Sequence, residues 1–341
     1  METNDCGKLP DEIKLPMAAA NPSPALCYDI IGDVHGRMDK LAALLLKMGY
    51  QPQGDGFSAP ERHKALFLGD IIDPKPGYEY PGGVHATLRT VKTMCDSGNA
   101  LCLMGNHELH AIFYHTRGAE GQWLRNHSEG SRRTHQGTLD DFPDHENTDS
   151  EWQTIWMPWL KQLPFYLDLG EIRAVHACWH PPSILLLEGK RLLDDDLLLT
   201  VADPRSLEGT ALNILLKGVE ILLPEGVYAV DQMGVKRGRI RARWWHEPAE
   251  GATFHELTFP PDLMIPHEKI PQEQQQAIPG YGHEEPPVFL GHYLKPAEAP
   301  FLSEKHNVAC LDHGASMDGP LICYRWRGEN HLVSEHFMPH L

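Results

Sequence analysis

The chain is poor in the features that mark secreted and membrane-spanning proteins. Its seven cysteines, at 6, 27, 95, 102, 178, 310 and 323, are odd in number and lack the close paired spacing of a zinc knuckle or a redox pair, so we expect reduced thiols. No run approaches the roughly 18 apolar residues that a membrane helix needs. Residues 1–26 carry acidic residues and prolines and lack the basic and apolar stretches of a signal peptide. We therefore expect a cytoplasmic protein with no membrane partner.

Positive charge is also scarce. The 341 residues include 30 lysines and arginines against 47 aspartates and glutamates, a formal net charge of −17. Proteins hold long polyanions through many phosphate contacts, so this balance argues against extended nucleic acid and anionic membranes as partners. A small phosphorylated ligand is not excluded, because bound divalent cations would offset negative charge where it binds.

Five short polar motifs each follow an apolar, strand-like run. They are Gly-Asp-Val-His-Gly at 32–36, Gly-Asp-Ile-Ile-Asp at 69–73, Gly-Asn-His-Glu at 105–108, Val-His-Ala at 175–177 and Gly-His at 291–292. Short apolar runs bounded by glycine are typical of buried strands, and ligands gather at the carboxyl ends of strands in α/β folds. We therefore expect the polar residues to converge at one sheet edge, where they offer carboxylate, imidazole and amide ligands for two metal ions.

Each motif taken alone has a simpler interpretation. Gly-Asp after a strand is often only a turn with an Asx hydrogen bond, and a lone histidine is more often a satisfied core or surface residue than a ligand. Five such motifs in this order are hard to explain as separate accidents. We interpret them as one site.

The sequence predicts a helix between the first and second motifs and another between the second and third. Apolar residues over 38–48 and 84–94 recur at helical spacing, and a glycine follows each stretch. Strand, helix, strand, helix, strand is the order of a βαβ layered sheet. The tryptophan-rich stretch 152–160 predicts a packing face, and the aspartates at 194–196 predict the start of a helix.

The order of the motifs resembles that of the calcineurin-like metallophosphoesterases, within them the phosphoprotein phosphatase branch that also holds bacterial diadenosine tetraphosphatases. The resemblance covers about residues 27–330. It implies an α/β fold, a four-layer α/β/β/α sandwich. We expect one metallophosphoesterase domain over 27–331, with insertions near 110–165 and 181–285, between an N-terminal tail over 1–26 and a C-terminal tail over 332–341.

The resemblance also implies a ligand set for two divalent metal ions. It assigns Asp33 and His35 to the first metal, Asp70 to a bridge between the metals, and Asn106, His176 and His292 to the second. A bridging carboxylate holds two cations about 3.5–4 Å apart, and a water shared between them loses its proton at neutral pH and becomes the nucleophile. Such mixed ligands accept manganese, our first choice, and also iron or zinc.

By the same resemblance, His107 is the general acid that protonates the leaving oxygen, and Asp73 is its carboxylate partner. An imidazole suits this task because its unperturbed pKa lies near working pH. Asp73 has a simpler alternative role, which is to start the turn into Pro74.

The chain departs from the family directly after Asp73. Most members continue with Asp-Arg-Gly, whose arginine clamps the substrate phosphate, whereas this chain has Pro74 and Lys75. Lys75 supplies a positive charge without the planar fork of arginine. A strand over 237–243 would place its four arginines on one face. Of these, Arg241 and Arg243 are further candidates for phosphate binding, since they lie in the segment Arg-x-Arg-Trp-Trp at 241–245 that belongs to the family resemblance. The alternative is an edge strand kept from aggregating by its charge.

The expected reaction is hydrolysis of a phosphate ester or anhydride in a phosphorylated small molecule, peptide or nucleotide. The first choice is a phosphomonoesterase that resembles protein phosphatases. The alternatives are a dinucleoside polyphosphate hydrolase of the diadenosine tetraphosphate type and a metal-bound binding protein without turnover. For His110, His115 and His135 we expect solvated loop positions at the rim of the site.

Overall fold

The computed structural model describes residues 26–230, 236–247, 251–262 and 264–341. The strands are β1 (Cys27–Ile31), β2 (Gln51–Gln53), β3 (Gly56–Ser58), β4 (His63–Phe67), β5 (Ala100–Cys102), β6 (Tyr166–Asp168), β7 (Arg173–Val175), β8 (Glu220–Leu222), β9 (Ala229–Val230), β10 (Lys236–Arg237), β11 (Arg239–Arg241), β12 (Val288–Leu290), β13 (Val308–Cys310), β14 (Ile322–Trp326) and β15 (Phe337–Pro339). The α-helices are α1 (Met38–Lys47), α2 (Gly83–Asp96), α3 (Asn106–Tyr114), α4 (Glu129–Asp141), α5 (Met157–Leu160), α6 (Pro181–Leu187), α7 (Asp195–Ala202), α8 (Leu207–Lys217), α9 (Phe254–Leu257) and α10 (Gln272–Gln276). A π-helical turn covers Trp152–Trp156 and a 3-10 turn covers Ser334–His336.

Two sheets carry the site. The first has five strands in the order β15-β14-β1-β4-β5, with β1, β4 and β5 parallel to one another. The second has four strands in the order β13-β12-β7-β6, with β12 parallel to both of its neighbours. Three two-stranded ribbons, β2-β3, β8-β11 and β9-β10, complete the pairing.

The two sheets pack face to face, and helices cover their outer faces. Ile30 and Tyr324 of the first sheet share one buried cluster with Ala174 and Phe289 of the second. A second cluster joins the other sheet faces to residues of α1, α2, α6, α7 and α8. Burying one large apolar side chain stabilises a fold by about 1.5–3 kcal/mol, so both clusters contribute strongly. The fold is the expected α/β sandwich of helix, sheet, sheet and helix layers.

Most predicted elements are confirmed. The apolar runs before the five motifs form β1, β4, β5, β7 and β12, and the two predicted helices are α1 and α2. Trp152 and Trp156 are buried as a packing face, and the Asp194 carboxylate accepts hydrogen bonds from two backbone N–H groups at the start of α7. The helices formed by the described residues all lack the length and apolar character that crossing a bilayer requires.

Three segments differ from expectation or fall outside the description. The C-terminal tail predicted over 332–341 contains β15, which pairs with β14 at the edge of the first sheet. The single strand expected over 237–243 is wrong, because Gly238 separates β10 from β11 and each pairs with a different strand. Of the N-terminal tail predicted over 1–26, only residue 26 lies within the described part of the chain. The other domain limits stay predictions.

Candidate metal centre

The polar residues that follow β1, β4, β5, β7 and β12 converge on the carboxylate of Asp70. Its Oδ2 atom lies 3.3 Å from Nε2 of His176, 3.8 Å from Nε2 of His35 and 4.0 Å from Nε2 of His107. Asp70 is almost completely buried. The parallel strands bring these loops to one edge because their carboxyl ends point the same way.

The converging side chains form two groups that share Asp70. His35, Asp70 and His107 make one group, and Asp70, His176 and His292 make the other; within each group the ligand atoms lie within 4.8 Å of one another. A carboxylate common to two such groups has the position that a bridge between two cations requires. The first group contains His107 where the sequence predicted Asp33.

Asp33 and Asn106 lie beside these groups. Oδ2 of Asp33 accepts a hydrogen bond from the backbone N–H of His292 at 3.0 Å. Oδ1 of Asn106 lies 3.1 Å from Nε2 of His176. Every residue predicted as a ligand is therefore in contact with another predicted ligand.

Two buried atoms of this set have no hydrogen-bond partner among the described residues. They are Oδ1 of Asp33 and Nε2 of His292. A buried polar atom without a partner costs free energy, and native structures keep few of them. An oxygen and a nitrogen lone pair beside a bridging carboxylate suit divalent cations, so the residues present fit a two-metal centre.

Burial and neighbouring charges set the protonation of the centre. Burial, and next the charge of Asp312, raises the pKa of Asp33 well above its usual value. Burial opposes ionisation of Asp70, but His176 and His107 outweigh it and hold the pKa of Asp70 low. Asp312, a buried carboxyl two residues after β13, also belongs to this site and was not predicted from the sequence. Carboxylates crowded in this way repel one another unless cations lie between them.

Backbone carbonyls orient two of the imidazoles. Nδ1 of His35 lies 3.0 Å from the carbonyl oxygens of both Ile72 and Asp73, and Nδ1 of His176 lies 2.8 Å from that of Leu68. A protonated Nδ1 donates to these oxygens, which leaves the Nε2 lone pair free to face Asp70. Ligating histidines commonly use their second nitrogen in this way.

The backbone is strained at the same residues. His35, Asp70, Asp73 and His292 all have positive φ, between 48° and 64°, and Arg62 is the one other such non-glycine residue among those described. Non-glycine residues rarely adopt this left-handed conformation, and its cost is of order 1–3 kcal/mol per residue. Strain of this kind clusters at functional sites because the surrounding structure must enforce it.

Glu108 holds two of the loops together, a role that the sequence analysis did not assign. Its carboxylate accepts hydrogen bonds from the backbone N–H groups of Asp70 at 2.8 Å, Ile71 at 2.9 Å and Gly105 at 2.8 Å. Burial, and next the charge of Asp70, raises the pKa of Glu108 to about 7. The sequence signal is the glutamate three residues after Gly105, the residue that precedes the first turn of α3.

Glycines allow the carboxylates to approach the backbone. A Cβ atom at Gly291 would lie 1.9 Å from Oδ1 of Asp33, and one at Gly105 would lie 2.2 Å from Oδ1 of Asp70. No side chain fits at these distances. The glycines of the Gly-His and Gly-Asn-His-Glu motifs are therefore part of the site geometry.

His107 and Asp73 form the predicted pair. Nδ1 of His107 lies 2.9 Å from Oδ2 of Asp73. Burial opposes protonation of His107, but the charges of Asp70 and Asp73 outweigh it and raise the pKa of the ring. A charged imidazole held by a carboxylate is the arrangement of a general acid.

A second histidine holds the other oxygen of Asp73. Nδ1 of His135 and Oγ1 of Thr138 each lie 2.6 Å from Oδ1 of Asp73, and Nε2 of His135 lies 3.0 Å from Nε2 of His115. The prediction that His110, His115 and His135 are solvated loop residues is wrong, and His110 is a half-buried residue within α3. His135 is fully buried and lies within α4, because this polar helix packs against the loop that carries Asp73. His115 is largely buried at the end of α3, beside Trp152.

The three residues predicted to bind phosphate have different surroundings. The charge of Lys75 is a minor contribution to the pKa of His35, which burial first and His107 next lower to about 4. Arg241 Nη1 lies 3.4 Å from the carbonyl oxygen of His292, so this guanidinium is next to the second ligand group. The guanidinium of Arg243 lies 5.9 Å from the centre of the Phe259 ring.

A cleft of about 810 Å³ opens beside the second ligand group. We call it the basic cleft, since Lys217, Lys236, Arg237, Arg239 and Arg241 line it together with the predicted ligands Asn106 and His292. Glu220 and Asp262 are the acidic residues of its walls, and Arg243 is not part of its lining. Positive side chains are thus concentrated beside the centre of a protein whose net charge is −17.

This chain has recognisable relatives. It is 34% identical over 82 residues to bis(5'-nucleosyl)-tetraphosphatase PrpE [asymmetrical] of Halalkalibacterium halodurans, which covers 24% of this chain and 30% of that protein. It is 26% identical over 159 residues to the protein of the same name from Anoxybacillus flavithermus, which covers 45% of this chain and 57% of that one. The matches thus span less than two thirds of the length of these curated relatives.

Solved structures resemble the chain over most of its length. A cold-active protein-tyrosine phosphatase of a psychrophilic Shewanella is 18% identical, with a TM-score of 0.44, covering 98% of this chain and 88% of that one. A putative diadenosine tetraphosphatase is 14% identical, with a TM-score of 0.42, covering 93% and 95%. The family model for calcineurin-like phosphoesterases matches residues 28–247. The chain belongs to the calcineurin-like phosphoesterase family.

Proposed function

We propose that this protein is a metal-dependent phosphohydrolase that cleaves a phosphoric anhydride in substrates of the dinucleoside tetraphosphate type. The observation that carries the proposal is the basic cleft. The candidate ligands Asn106 and His292 line it together with Arg241 and four further cationic side chains. The names of the curated relatives support the same substrate class.

The number of cations favours a polyphosphate over a single phosphate group. A phosphate monoester presents one dianionic group, which the metal centre and one arginine or lysine neutralise. A polyphosphate chain carries a charge on each phosphate, and each gains a charge-assisted hydrogen bond from a separate cation. Lys217, Arg239 and Lys236 would be without a partner of this kind on a small monoester.

In this proposal the residues of the chain have separate tasks. The residues that would hold two divalent cations are Asp33, His35, Asp70, Asn106, His176 and His292, and such ions would supply charge neutralisation and an activated water. His107 gives its Nε2 proton to the leaving oxygen, and Asp73 keeps the ring oriented and charged through Nδ1. Arg241 orients the substrate from the edge of the second ligand group.

The second candidate is the phosphomonoesterase that the sequence favoured. The observation on its side is Lys75, whose charge acts on both His35 and His107. A single lysine beside the metal centre is enough to hold one terminal phosphate, although without the two-point grip of arginine.

The test compares three substrates on one enzyme. The protein is stripped of metal, refilled with manganese and given diadenosine tetraphosphate, a phosphopeptide and an aryl phosphate, with His107→Asn as the matched inactive variant. We expect manganese-dependent turnover with diadenosine tetraphosphate as the preferred substrate. Preference for the aryl phosphate or the phosphopeptide would transfer the assignment to the phosphomonoesterase, and turnover that is unchanged in His107→Asn would contradict the mechanism.

A further inference from the structure

The wall of the basic cleft contains exposed apolar side chains as well as cations. Leu222 and Val230 both line the cleft, and 53% and 60% of their surfaces are exposed. A lone exposed leucine or valine is ordinary at a protein surface. These two, however, lie in the same cavity as the predicted metal ligands Asn106 and His292. Small-molecule sites commonly combine apolar walls with a few polar groups in this way.

The pairing of the two ribbons places each of these apolar residues beside a cation. Leu222 of β8 is directly opposite Arg239 of β11, and Val230 of β9 is directly opposite Lys236 of β10. Directly opposed residues of antiparallel strands have their side chains on the same face of the ribbon. All four residues line the cleft, so each ribbon presents an apolar group and a positive charge side by side.

Arg241 defines how far Leu222 is from the metal centre. Nη1 of Arg241 lies 3.4 Å from the carbonyl oxygen of His292. Leu222 is opposite Arg239, which is two residues from Arg241 in β11. An antiparallel strand rises about 3.4 Å per residue, so Leu222 is about 7 Å along the ribbon from the position of Arg241.

Hydrogen bonds on both sides of the β8-β11 ribbon fix its position. The backbone N–H of Leu222 donates to Oε1 of Gln274 at 2.7 Å, and Nε2 of Gln274 donates to the carbonyl oxygen of Leu222 at 3.3 Å. On the β11 side, the backbone N–H of Phe259 donates to the carbonyl oxygen of Arg241 at 3.1 Å. Ile221 is buried on the opposite face of β8. The backbone therefore holds the Leu222 side chain toward the cleft.

We propose that Leu222 and Val230 form the binding site for a nucleoside of the substrate, with the face of the base packed on their side chains. The proposal rests on the function proposed above and specifies the part of the substrate that the metal centre and the phosphate-binding cations do not hold. In a nucleotide, at least one phosphate and a ribose separate the reacting phosphorus from the base. The base therefore lies beyond Arg241, where Leu222 is exposed.

The mixed character of the ribbons favours a nucleoside over other occupants. An inorganic polyphosphate is charged along its whole length and gains nothing from an apolar wall. A base has a flat apolar face, and a guanidinium beside it is attracted to the ring. Arg239, directly opposite Leu222, supplies such a group.

Two ligands that differ by the nucleoside test this proposal. Adenosine 5'-(α,β-methylene)diphosphate and methylenediphosphonate share a P–C–P unit that resists hydrolysis. Titration calorimetry of the manganese-loaded protein measures the affinity for each, without turnover. An apolar contact the size of one methylene group in a pocket is worth about tenfold or more. We therefore expect the adenosine compound to bind at least about tenfold more tightly.

Variants locate this difference in the cleft. Leu222→Thr and Val230→Thr remove apolar surface and keep a residue that suits a strand. Leu302→Thr and Val333→Thr make the same changes at exposed positions outside the cleft lining and are the matched controls. We expect each cleft variant to weaken binding of the adenosine compound by about threefold to tenfold and to leave methylenediphosphonate within about twofold. Both controls should keep the original affinities.

Equal affinity of the original protein for the two ligands would overturn the proposal, as would an equal loss of both affinities in the cleft variants. With diadenosine tetraphosphate, we expect the cleft variants to raise KM by about the same factor and to keep kcat near its original value. Absence of turnover on any substrate would refute the proposed function, and the calorimetry would still decide whether Leu222 and Val230 bind the nucleoside.

Discussion

Nδ1 of the buried His135 lies 2.6 Å from Oδ1 of Asp73, on the oxygen that His107 does not use. The carboxylate is thus held between two imidazoles, and Thr138 adds a hydroxyl donor on the His135 side. Asp73 cannot rotate without breaking these bonds. His135 therefore fixes the orientation in which the Asp73 carboxylate holds His107.

The first prediction concerns His135 as a positioning residue. In His135→Gln the second support of Asp73 is weakened, so we expect kcat to fall about tenfold while KM and metal content stay near their original values. The alkaline limb of the kcat profile reports the deprotonation of His107, whose pKa Asp70 and Asp73 raise, and we expect its midpoint to shift in this variant. Steady-state kinetics across pH, with metal analysis of the same sample, measures both. A lower metal content or a raised KM, with kcat unchanged, would show that His135 serves only the fold.

The bridging position of Asp70 leads to the second prediction. Asp70→Asn removes the charge shared by both ligand groups, so we expect affinity for both metal ions to fall by about 100-fold or more. Calorimetric titration of the metal-free protein with manganese measures this, and Asp39→Asn, on the surface helix α1, is the control. Two metal ions retained tightly in Asp70→Asn would refute the bridge.

Glu108 gives a prediction about stability. Glu108→Gln keeps the shape of the side chain but turns an amide N–H₂ group toward backbone N–H donors that need an acceptor. A hydrogen bond to a charged group is worth about 1.5–3 kcal/mol, and we expect the free energy of unfolding to fall by about that amount. Urea unfolding of the metal-free protein checks this. Unchanged stability would mean that the three contacts contribute little to holding the loops.

His115 gives a prediction about pH. Burial, and next the charges of His135 and His145, lowers the pKa of His115 to about 2, against about 6.5 in an unfolded chain. Between these values the unfolded state binds one more proton, so this residue makes the folded protein lose stability as pH falls below about 6.5. The loss is about 1.4 kcal/mol per pH unit, or about 2 kcal/mol between pH 6.5 and 5.

The measurement compares the original protein with His115→Gln, whose amide can still hydrogen-bond to His135. Urea unfolding of both metal-free proteins between pH 7 and 5 should show the smaller acid loss in the variant. Acidic groups common to both proteins cancel in the difference. If the free energy of unfolding fell equally with pH in both proteins, the acid loss would not come from His115.

Local sequence pattern was enough to predict the sheet strands and to bring the ligand residues to one edge. Asp33, Asp70 and His176 each follow an apolar run directly, and the end of a strand fixes where such residues lie. The positive φ values of Asp70 and His292 are local as well, because each follows a glycine in a tight turn.

Contacts between distant parts of the chain could not be predicted. His135 is 62 residues from Asp73, and the polar composition of α4 hides the fact that one of its faces is buried. Polar residues with a buried tertiary partner have the same sequence pattern as solvated ones.

The role of His107 is the central claim. Its Nε2 lies 4.0 Å from Asp70, so distance alone also allows it to act as a metal ligand. The variant His107→Asn, loaded with manganese, separates the roles when kcat and metal content are measured on one sample. The general-acid account predicts a fall in kcat of about 100-fold or more with two metal ions still bound. Unchanged kcat, or loss of a metal ion from the variant, would contradict it.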